Sequence, residues 1–211
     1  MRIKNNTRLR RYTSLPILLD MLIHKRITLL DPESWEDRND SFYVEKYKEI
    51  KCLKSVLALC FTSRPETFHH WKVFSGNSSG ICVRFNKAKL LKSVNRISGI
   101  KSDYVKYKLI RELSSNTPSL DELPFIKRKQ YEDEEEFRIV YTNKSKEIKS
   151  KNITIDLDSI EKITLSPWLP LAVSKTIKNV IGEIDGCDSI ELIRTGVMDN
   201  KVWKNIASKI A

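Results

Sequence analysis

The chain has 211 residues, of which 40% are apolar and 31% are charged, and its formal net charge at pH 7 is +11. This composition describes an ordinary soluble globular protein with room for one medium-sized domain. It excludes a helical membrane protein, because the longest apolar run, residues 15–30, is broken by Asp20, His24, Lys25 and Arg26. No signal-peptide core follows the basic N-terminus, so we expect a cytoplasmic protein.

In chain order, the first predicted element is a helix that begins after Ser14, with Pro16 in its first turn. A short strand over residues 27–30 then ends at an Asp-Pro turn. An amphipathic pattern over residues 41–55 predicts a second helix, and the apolar run over residues 56–63 predicts a strand.

The middle of the chain is rich in aromatic residues. The segment 68–76, "FHHWKVFSG", and the Gly-Ser turn after it predict a core strand with its hairpin, which continues into a strand over residues 80–86. Residues 88–97 and 103–113 are both predicted to be helical. A loop is predicted over residues 116–124.

The last third of the chain alternates between strand-like and helical patterns. Strands are predicted over residues 135–141, 152–157, 161–167 and 189–196, and helices over residues 171–184 and 199–210. No internal repeat or linker divides the chain. We therefore expect a single α+β domain over residues 1–211, with a mixed or antiparallel sheet core and flanking helices.

The cysteines and histidines give no sign of a disulfide framework or a metal site. Cys52, Cys60, Cys82 and Cys187 are widely spaced, and two of them fall in apolar strand-like runs, so reduced core thiols are expected. The three histidines have no metal-ligand spacing, and we expect no structural metal.

The excess of 38 basic over 27 acidic residues favours an anionic partner, of which nucleic acid is the commonest. From Lys87 to Arg111 the chain has eight basic residues against one acidic residue, Asp103. A phosphate-binding surface and simple solubility both explain this excess. The candidate nucleic-acid-binding residues are Lys87, Lys89, Lys92, Arg96 and Lys101.

Three of the four segments that could carry chemistry precede residue 87. The first segment lies at the entrance of the first helix and contains Arg11, Tyr12, Thr13 and Ser14. Free backbone N–H groups and an arginine at this position suit a phosphate. The alternative is an ordinary helix cap that basic residues precede. In the second segment, Trp35 beside Asp37 and Asp40 is either a stacking platform with hydroxyl acceptors or a plug with turn-forming acids. In the third segment, His70 and Trp71 are candidate site residues only if their side chains face a cleft.

The fourth segment, "QYEDEEEFRIVY", gathers five acidic residues in front of an apolar run. If a strand begins near Glu134, its alternation places Glu134, Glu136 and Arg138 on one face. Two such carboxylates can hold a ribose hydroxyl and stabilise an oxocarbenium-like centre. The alternative is a solvated turn whose repulsion is relieved by Lys127 and its basic neighbours, and a register slip of one residue would turn Glu135 inward instead.

In this order, the four segments resemble a bacterial domain-of-unknown-function family, number twenty-nine seventy-one. The matching positions run from Leu9 to Tyr141: Leu9–Ser14, Pro32–Asp37, Cys60–Thr62, His70-Trp71, Gly80, Cys82, Phe85, Lys127, Tyr131, Glu134 and Glu136–Arg138. A C-terminal part with strands and helices over residues 150–211 would follow this family-like core.

The layout of that family is similar to that of ADP-ribosyltransferases, and this resemblance implies a fold, a substrate and roles. Glu136 would be the catalytic carboxylate and Glu134 would assist it. NAD would be held by Arg11, Tyr12, Thr13, Ser14, Trp35, Asp37, His70 and Trp71. Tyr131 stands where the family commonly has a tryptophan.

Three functions remain open from the sequence. The first is an NAD-dependent ADP-ribosyltransferase or NAD glycohydrolase that acts on nucleic acid as a toxin or anti-phage effector. The second is a non-enzymatic nucleic-acid-binding module. The third is a regulatory protein partner within a defence system, whose basic face docks an acidic protein. For the enzyme, Glu136→Gln is expected to abolish NAD turnover and to leave folding intact, as the start of a strand at the surface tolerates the isostere.

Overall fold

The computed structural model describes residues 7–209, and a sheet surrounded by helices forms its centre. The strands are β1 (Arg8–Ser14), β2 (Arg26–Leu30), β3 (Ser55–Thr62), β4 (Gly80–Asn86), β5 (Ile100–Tyr104), β6 (Lys106–Lys108), β7 (Ile126–Arg128), β8 (Glu136–Asn143), β9 (Ser150–Thr154), β10 (Ile160–Leu165) and β11 (Glu191–Arg194). The α-helices are α1 (Leu15–His24), α2 (Arg38–Ile50), α3 (Phe68–Ser75), α4 (Lys87–Val94), α5 (Ile110–Ser115), α6 (Leu171–Gly182) and α7 (Lys201–Ala207). Short 3-10 helices span Pro32–Ser34, Leu120–Phe125, Lys129–Glu134 and Leu157–Ser159.

Nine of the strands form one sheet whose two halves meet between β1 and β3. One half has the order β11-β10-β4-β1, and in the other β3 pairs with β8 along its whole length while β5 pairs with the far edge of β8. β1 and β3 share a single register pair, Arg10 with Thr62. In this sheet the β10–β11 pair is parallel and the other pairs are antiparallel, so the prediction of a single α+β domain with a sheet core and flanking helices is confirmed.

The β3–β8 pair is covered on both faces. On one face, Phe137 and Ile139 belong to the main core together with α1 and β4. On the other face, Val140 packs with Val44 and Tyr47 of α2 in a second, smaller core. Burial on both faces explains why the sequence of β3 is an almost continuous apolar run.

Most of the predicted elements are confirmed, within a few residues at their ends. Helix α1 begins after Ser14, and α2, α4, α6 and α7 lie where helical patterns were found. Residue Ile210, at the end of the last predicted helix, lies outside the described residues. All four cysteines are free thiols, as expected. Within residues 7–209 no helix combines the length and the apolar character needed to cross a bilayer.

The prediction of a core strand over residues 68–76 is wrong, because this segment forms helix α3. Thr67 caps the helix by accepting a hydrogen bond from the backbone N–H of His70, at 3.1 Å. His70, Trp71 and Ser75 are the buried residues of this helix. Their spacing is helical, and the aromatic content of the segment concealed that period.

The prediction of a helix over residues 103–113 is wrong for its first half, which forms the end of β5 and then β6. Tyr104 stands opposite Phe137 of β8 and packs edge-on against its ring, with 5.0 Å between the ring centroids. The edge of β8 thus overrides the helical propensity of this segment. Only Ile110–Ser115 is helical.

Candidate functional site

A cavity of about 560 Å³ lies where β1 and β3 part from each other. Its walls come from the middle of β1, the end of β3, the chain that leads into α2, and the start of β8. Because β1 and β3 share only one register pair, the Cys60 carbonyl is free to accept a hydrogen bond from the Arg11 side chain, at 3.0 Å. The cavity is therefore a consequence of the split in the sheet.

The β1 side of the cavity is positively charged. Arg11 donates to the Cys60 carbonyl and Arg10 donates to the Arg64 carbonyl, each at 3.0 Å. Neither guanidinium forms an ion pair with a carboxylate of residues 7–209. Burial lowers the pKa of Arg11, but a guanidinium remains protonated in a protein. These two charges are suited to an anionic group of a ligand.

The opposite side of the cavity is built around Glu136, the first residue of β8, which is 5% exposed. Arg138 donates from Nε to Glu136 Oε1 at 2.5 Å and from Nη2 to Oε2 at 2.9 Å. Lys127 Nζ lies 2.6 Å from Glu134 Oε2 and 3.4 Å from Glu136 Oε2. Both glutamates line the cavity.

A fully buried arginine, Arg138, joins Glu136 to a third carboxylate, that of Asp40. Arg138 forms two bonds with Asp40, at 2.8 and 2.5 Å, and a third with the Pro124 carbonyl. Its guanidinium also lies over the ring of Trp35, 4.7 Å from the centroid. Three carboxylates, those of Asp40, Glu134 and Glu136, thus face two cations, and the group keeps one net negative charge when all are ionised.

The two glutamates differ in their proton affinity. Burial acts to raise the pKa of Glu136, but Arg138 and Lys127 outweigh it and lower this pKa to about 2. Burial raises the pKa of Glu134, whose carboxylate accepts a hydrogen bond from Lys127 and has no contact with Arg138 comparable to that of Glu136 among the described residues. Glu136 is therefore the carboxylate that stays ionised throughout the neutral and mildly acidic range.

The turn before β8 settles which acidic residues face the cavity. Glu135 adopts a left-handed conformation, with φ of 42°, at the end of the 3-10 helix Lys129–Glu134. Its carbonyl accepts a hydrogen bond from the Ser63 N–H at 2.9 Å, its carboxylate accepts one from the Ser63 hydroxyl at 3.3 Å, and Glu135 does not line the cavity. Glu134 and Glu136 share the cavity wall, although Glu134 precedes the strand.

The aromatic candidates are arranged in two layers. Tyr12 and Phe74 line the cavity, whereas His70 and Trp71 lie behind Tyr12, with ring centroids 5.6 and 5.2 Å from that of Tyr12. Trp71 is fully buried and donates its indole N–H to Glu66 Oε1 at 2.6 Å. These two residues therefore hold Tyr12 in place and do not reach the cavity themselves.

Two polar atoms of the cavity residues are left without a matching partner. Within residues 7–209 no donor reaches the buried Asp37 Oδ2 atom, in contrast to the Oδ1 atom, which caps helix α2. The Tyr12 hydroxyl has no nitrogen or oxygen partner among residues 7–209, and the Cys82 thiol with which it interacts is a weak hydrogen-bonding group. Buried polar groups without partners are rare, and these two suit a ligand with hydroxyl or amide groups.

The structure thus brings together Arg11, Tyr12, Trp35, Asp37, Glu134 and Glu136 and leaves out Thr13, Ser14, His70 and Trp71. Thr13 and Ser14 lie at the end of β1, where the N–H of Leu15, the first residue of α1, already donates to Ser79 O at 2.8 Å. Sequence reasoning grouped Asp40 with Trp35 as a turn-forming acid or hydroxyl acceptor, but it did not pair Asp40 with Arg138. It gave Lys127 the role of relieving the acidic repulsion, and the alternation of β8 had placed Arg138 beside Glu136.

The candidate basic surface is separate from the cavity and is largely engaged within the chain. Lys87 lies over the rings of Tyr104 and Phe137, 4.2 and 4.5 Å from their centroids. Lys89 pairs with Asp158 and Lys101 pairs with Asp121. Of the five candidates, only Lys92 and Arg96 are exposed without an ion pair to another described residue.

Comparison with protein-family models finds no match, so the resemblance to family twenty-nine seventy-one is not confirmed, and no curated protein sequence matches the chain. Three solved structures of DarT from Thermus sp. 2.9 are similar to it. The complex with ADP-ribosylated single-stranded DNA aligns with a TM-score of 0.47 at 10% identity, over 92% of this chain and 97% of that chain.

The other two DarT structures are complexes with carba-NAD+ and with NAD+. Each aligns with a TM-score of 0.46, at 11% and 10% identity, over 91% and 92% of this chain and 97% and 98% of the DarT chain. Similarity at this level concerns the path of the chain and does not identify a substrate.

Proposed function

We propose that the chain binds NAD as a substrate in the cavity between β1 and β3 and transfers its ADP-ribose to an acceptor, or to water. The observation that carries this proposal is the division of charge within one cavity. Two guanidinium groups without a carboxylate partner among residues 7–209 lie on one side, and three carboxylates that share two cations lie on the other. NAD carries the complementary pair of charges, a diphosphate and a cationic nicotinamide riboside.

The size and the donor set of the cavity fit this substrate. A volume of about 560 Å³ lies within the range of cofactor pockets. Arg11 and Arg10 would bind the diphosphate, and Tyr12 would support a ring with its face. Arg138 occupies one face of Trp35, so Trp35 serves to hold Arg138 as well as to form a wall.

Glu136 would act on the ribose that reacts. An ionised carboxylate has about four lone-pair sites, and Glu136 uses three of them for Arg138 and Lys127. The Cys60 thiol, a weak donor, interacts with the same carboxylate, and a ribose hydroxyl would replace it there. The bond between C1′ and the nicotinamide nitrogen breaks, and nicotinamide leaves with the electron pair as a neutral molecule. The net negative charge of the group stabilises the positive charge that develops on the ribose.

The electron-poor C1′ then forms a bond with a nitrogen or oxygen atom of the acceptor, or with water, and the proton of that group passes to solvent. We propose nucleic acid as the acceptor, in keeping with the basic composition. An enzyme that consumes NAD and modifies nucleic acid would suit a toxin or an anti-phage effector, the role implied by the resemblance of the sequence.

The test is NAD turnover by the purified chain, with and without single-stranded DNA, duplex DNA and RNA. Release of nicotinamide, together with a mass increase on one of the nucleic acids, would support the proposal and identify the acceptor. If NAD stays intact under all of these conditions and does not bind in a calorimetric titration, the proposal is wrong.

A first prediction concerns Arg11. In Arg11→Gln we expect KM for NAD to rise by about 10- to 100-fold, because one charge-assisted hydrogen bond to a phosphate is worth about 1.5–3 kcal/mol. The value of kcat should change less, since the diphosphate is remote from C1′. Steady-state kinetics of nicotinamide release measures both constants.

The matched control for Arg11→Gln is Arg8→Gln. Arg8 belongs to the same strand, is exposed, pairs with Glu161 at 2.9 Å and does not line the cavity. Its KM should equal that of the wild type. An equal rise of KM in both variants would show that the effect is a general one of net charge and would remove Arg11 from the site.

A further inference from the structure

A second cavity, of about 400 Å³, adjoins the first one. Asp37, Asp40 and Lys127 line both cavities. These three side chains therefore lie between the two cavities and form a partition that both share. A group bound in the second cavity would approach the carboxylate side of the first, where Lys127 contacts Glu134 and Glu136.

The far wall of the second cavity carries two cations without acidic partners. In the parallel pair β6–β7, Lys108 stands directly beside Arg128, and both residues line the cavity. Neither forms an ion pair with a carboxylate of residues 7–209, whereas the nearby Lys106 and Lys129 pair with Glu122 and Glu132. Two adjacent cations without a carboxylate partner in the described part of the chain are suited to phosphate oxygens.

Helix α2 and its cap residue Asp37 contribute further polar groups to the second cavity. Asp37 Oδ1 accepts bonds from the backbone N–H and the side-chain amide of Asn39, both at 3.0 Å, whereas its buried Oδ2 has no partner among the described residues. A carboxylate oxygen accepts hydrogen bonds only, so it calls for an N–H or O–H donor from a ligand. Tyr43, half-buried on the same helix, lines this cavity and offers an aromatic surface to a base.

We infer that the second cavity is the acceptor site and that it binds one nucleotide of a single-stranded nucleic acid. Lys108 and Arg128 contact its phosphates, Tyr43 contacts the face of the base, and Asp37 Oδ2 accepts a hydrogen bond from an N–H of the base. A single strand is required, because in a duplex the face and the pairing edge of a base are already occupied. This inference rests on the proposed function, since the cavity next to it is assigned to NAD.

The chemistry across the partition is a simple substitution at C1′ of the ribose. A nitrogen or oxygen of the bound base forms the new bond to C1′ as the bond to nicotinamide breaks. Nicotinamide keeps the electron pair of the broken bond, and the proton displaced from the base passes to water in the open second cavity. No oxidant or further reactant is needed.

The test is the binding of a fluorescent single-stranded oligonucleotide, as DNA and as RNA, to the full chain without NAD. We expect Arg128→Glu to weaken binding by about tenfold or more and to lower the salt dependence by about one phosphate contact. Arg128 is exposed, so this variant should fold. Tyr43→Leu should weaken binding by about tenfold and leave the salt dependence unchanged, because it removes stacking and no charge.

The matched control is Lys175→Glu, which makes the same change of charge at an exposed lysine of α6 that lines neither cavity. Its binding should equal that of the wild type. If Lys175→Glu weakens binding as much as Arg128→Glu, or if Arg128→Glu binds normally, the acceptor site is not here. A wild type that binds no oligonucleotide, while it still modifies a protein or releases ADP-ribose into water, also overturns the inference.

The binding experiment can refute the acceptor site without refuting the proposed function, and the proposed function can be refuted without the acceptor site. Binding of the oligonucleotide is measured without NAD, so a chain that never consumes NAD can still show the loss in Arg128→Glu. That outcome would leave a nucleic-acid site in the second cavity and would refute the transferase. Conversely, NAD turnover with normal binding in Arg128→Glu would keep the enzyme and refute this acceptor site.

Discussion

Glu136→Gln is expected to lower kcat for NAD consumption by at least about 100-fold, because the variant loses the negative charge that stabilises the ribose in the transition state. The Kd for NAD should change by less than about tenfold, since the diphosphate contacts at Arg10 and Arg11 remain. Nicotinamide release gives kcat, and a calorimetric titration gives Kd. This separation of rate from binding is the signature of a catalytic group.

The same substitution should also lower the free energy of unfolding, contrary to the expectation from the sequence. Glu136 is buried and bonded to Arg138 through both oxygens, so it does not lie at a tolerant surface position. The amide nitrogen of glutamine cannot accept a bond from Arg138, and the lost pairing should cost about 1–3 kcal/mol. Kinetics must therefore be measured at a temperature at which circular dichroism shows the variant to be folded.

Glu135→Gln is the matched control, since it makes the same change one residue away. The Glu135 side chain contacts Ser63 at 3.3 Å and does not line the cavity. Its kcat should equal that of the wild type. A folded Glu136→Gln variant with wild-type kcat would remove Glu136 from the reaction and leave it a purely structural role.

The acidic stretch shows how far the sequence can predict this site. Strand alternation placed Glu136 and Arg138 on one face of β8, and both side chains do lie on the face opposite Phe137. The two interpretations of the stretch, a site or a turn relieved by Lys127, do not exclude each other. Lys127 neutralises part of the charge, and the carboxylates still line a cavity.

Contacts between distant segments could not be predicted in the same way. Asp40 and Arg138 are 98 residues apart and meet because α2 packs on the outer face of β3 and β8. Nothing in the local pattern of either segment specifies that packing. The prediction of a strand over residues 68–76 failed for a related reason. Strand and helix periods are hard to separate over eight residues, and the helix that forms instead places Trp71 behind Tyr12.

Arg138→Met should cause the largest loss of stability of any single change discussed, about 3–5 kcal/mol in the free energy of unfolding. The variant leaves Asp40 and Glu136 buried without their main partner, and methionine supplies volume but no hydrogen bond. The large cost thus reflects the charges that remain, more than the worth of the ion pair itself. Urea denaturation at neutral pH, followed by circular dichroism, measures the difference from the wild type.

The control is Arg26→Met, which removes the same kind of two-pronged pair at the surface. Arg26 bonds to Asp20 at 3.1 and 2.6 Å, and its side chain is 31% exposed, against 0% for Arg138. Solvent screens such a pair, so the loss should be below about 1 kcal/mol. Equal losses in the two variants would contradict the view that burial decides the cost.

The pH dependence of the free energy of unfolding tests independently whether buried negative charge causes the loss of stability in Arg138→Met. The pKa of Glu136 is lowered to about 2 in the folded wild type, so this residue stabilises the fold above its ordinary pKa, and the contribution is lost as the pH falls towards 2. Without Arg138 the pKa of Glu136 should rise, and protonation would then relieve the buried charge. The stability gap between the wild type and Arg138→Met should therefore narrow between pH 7 and pH 4, and a gap that stays constant would show that the lost stability comes from packing alone.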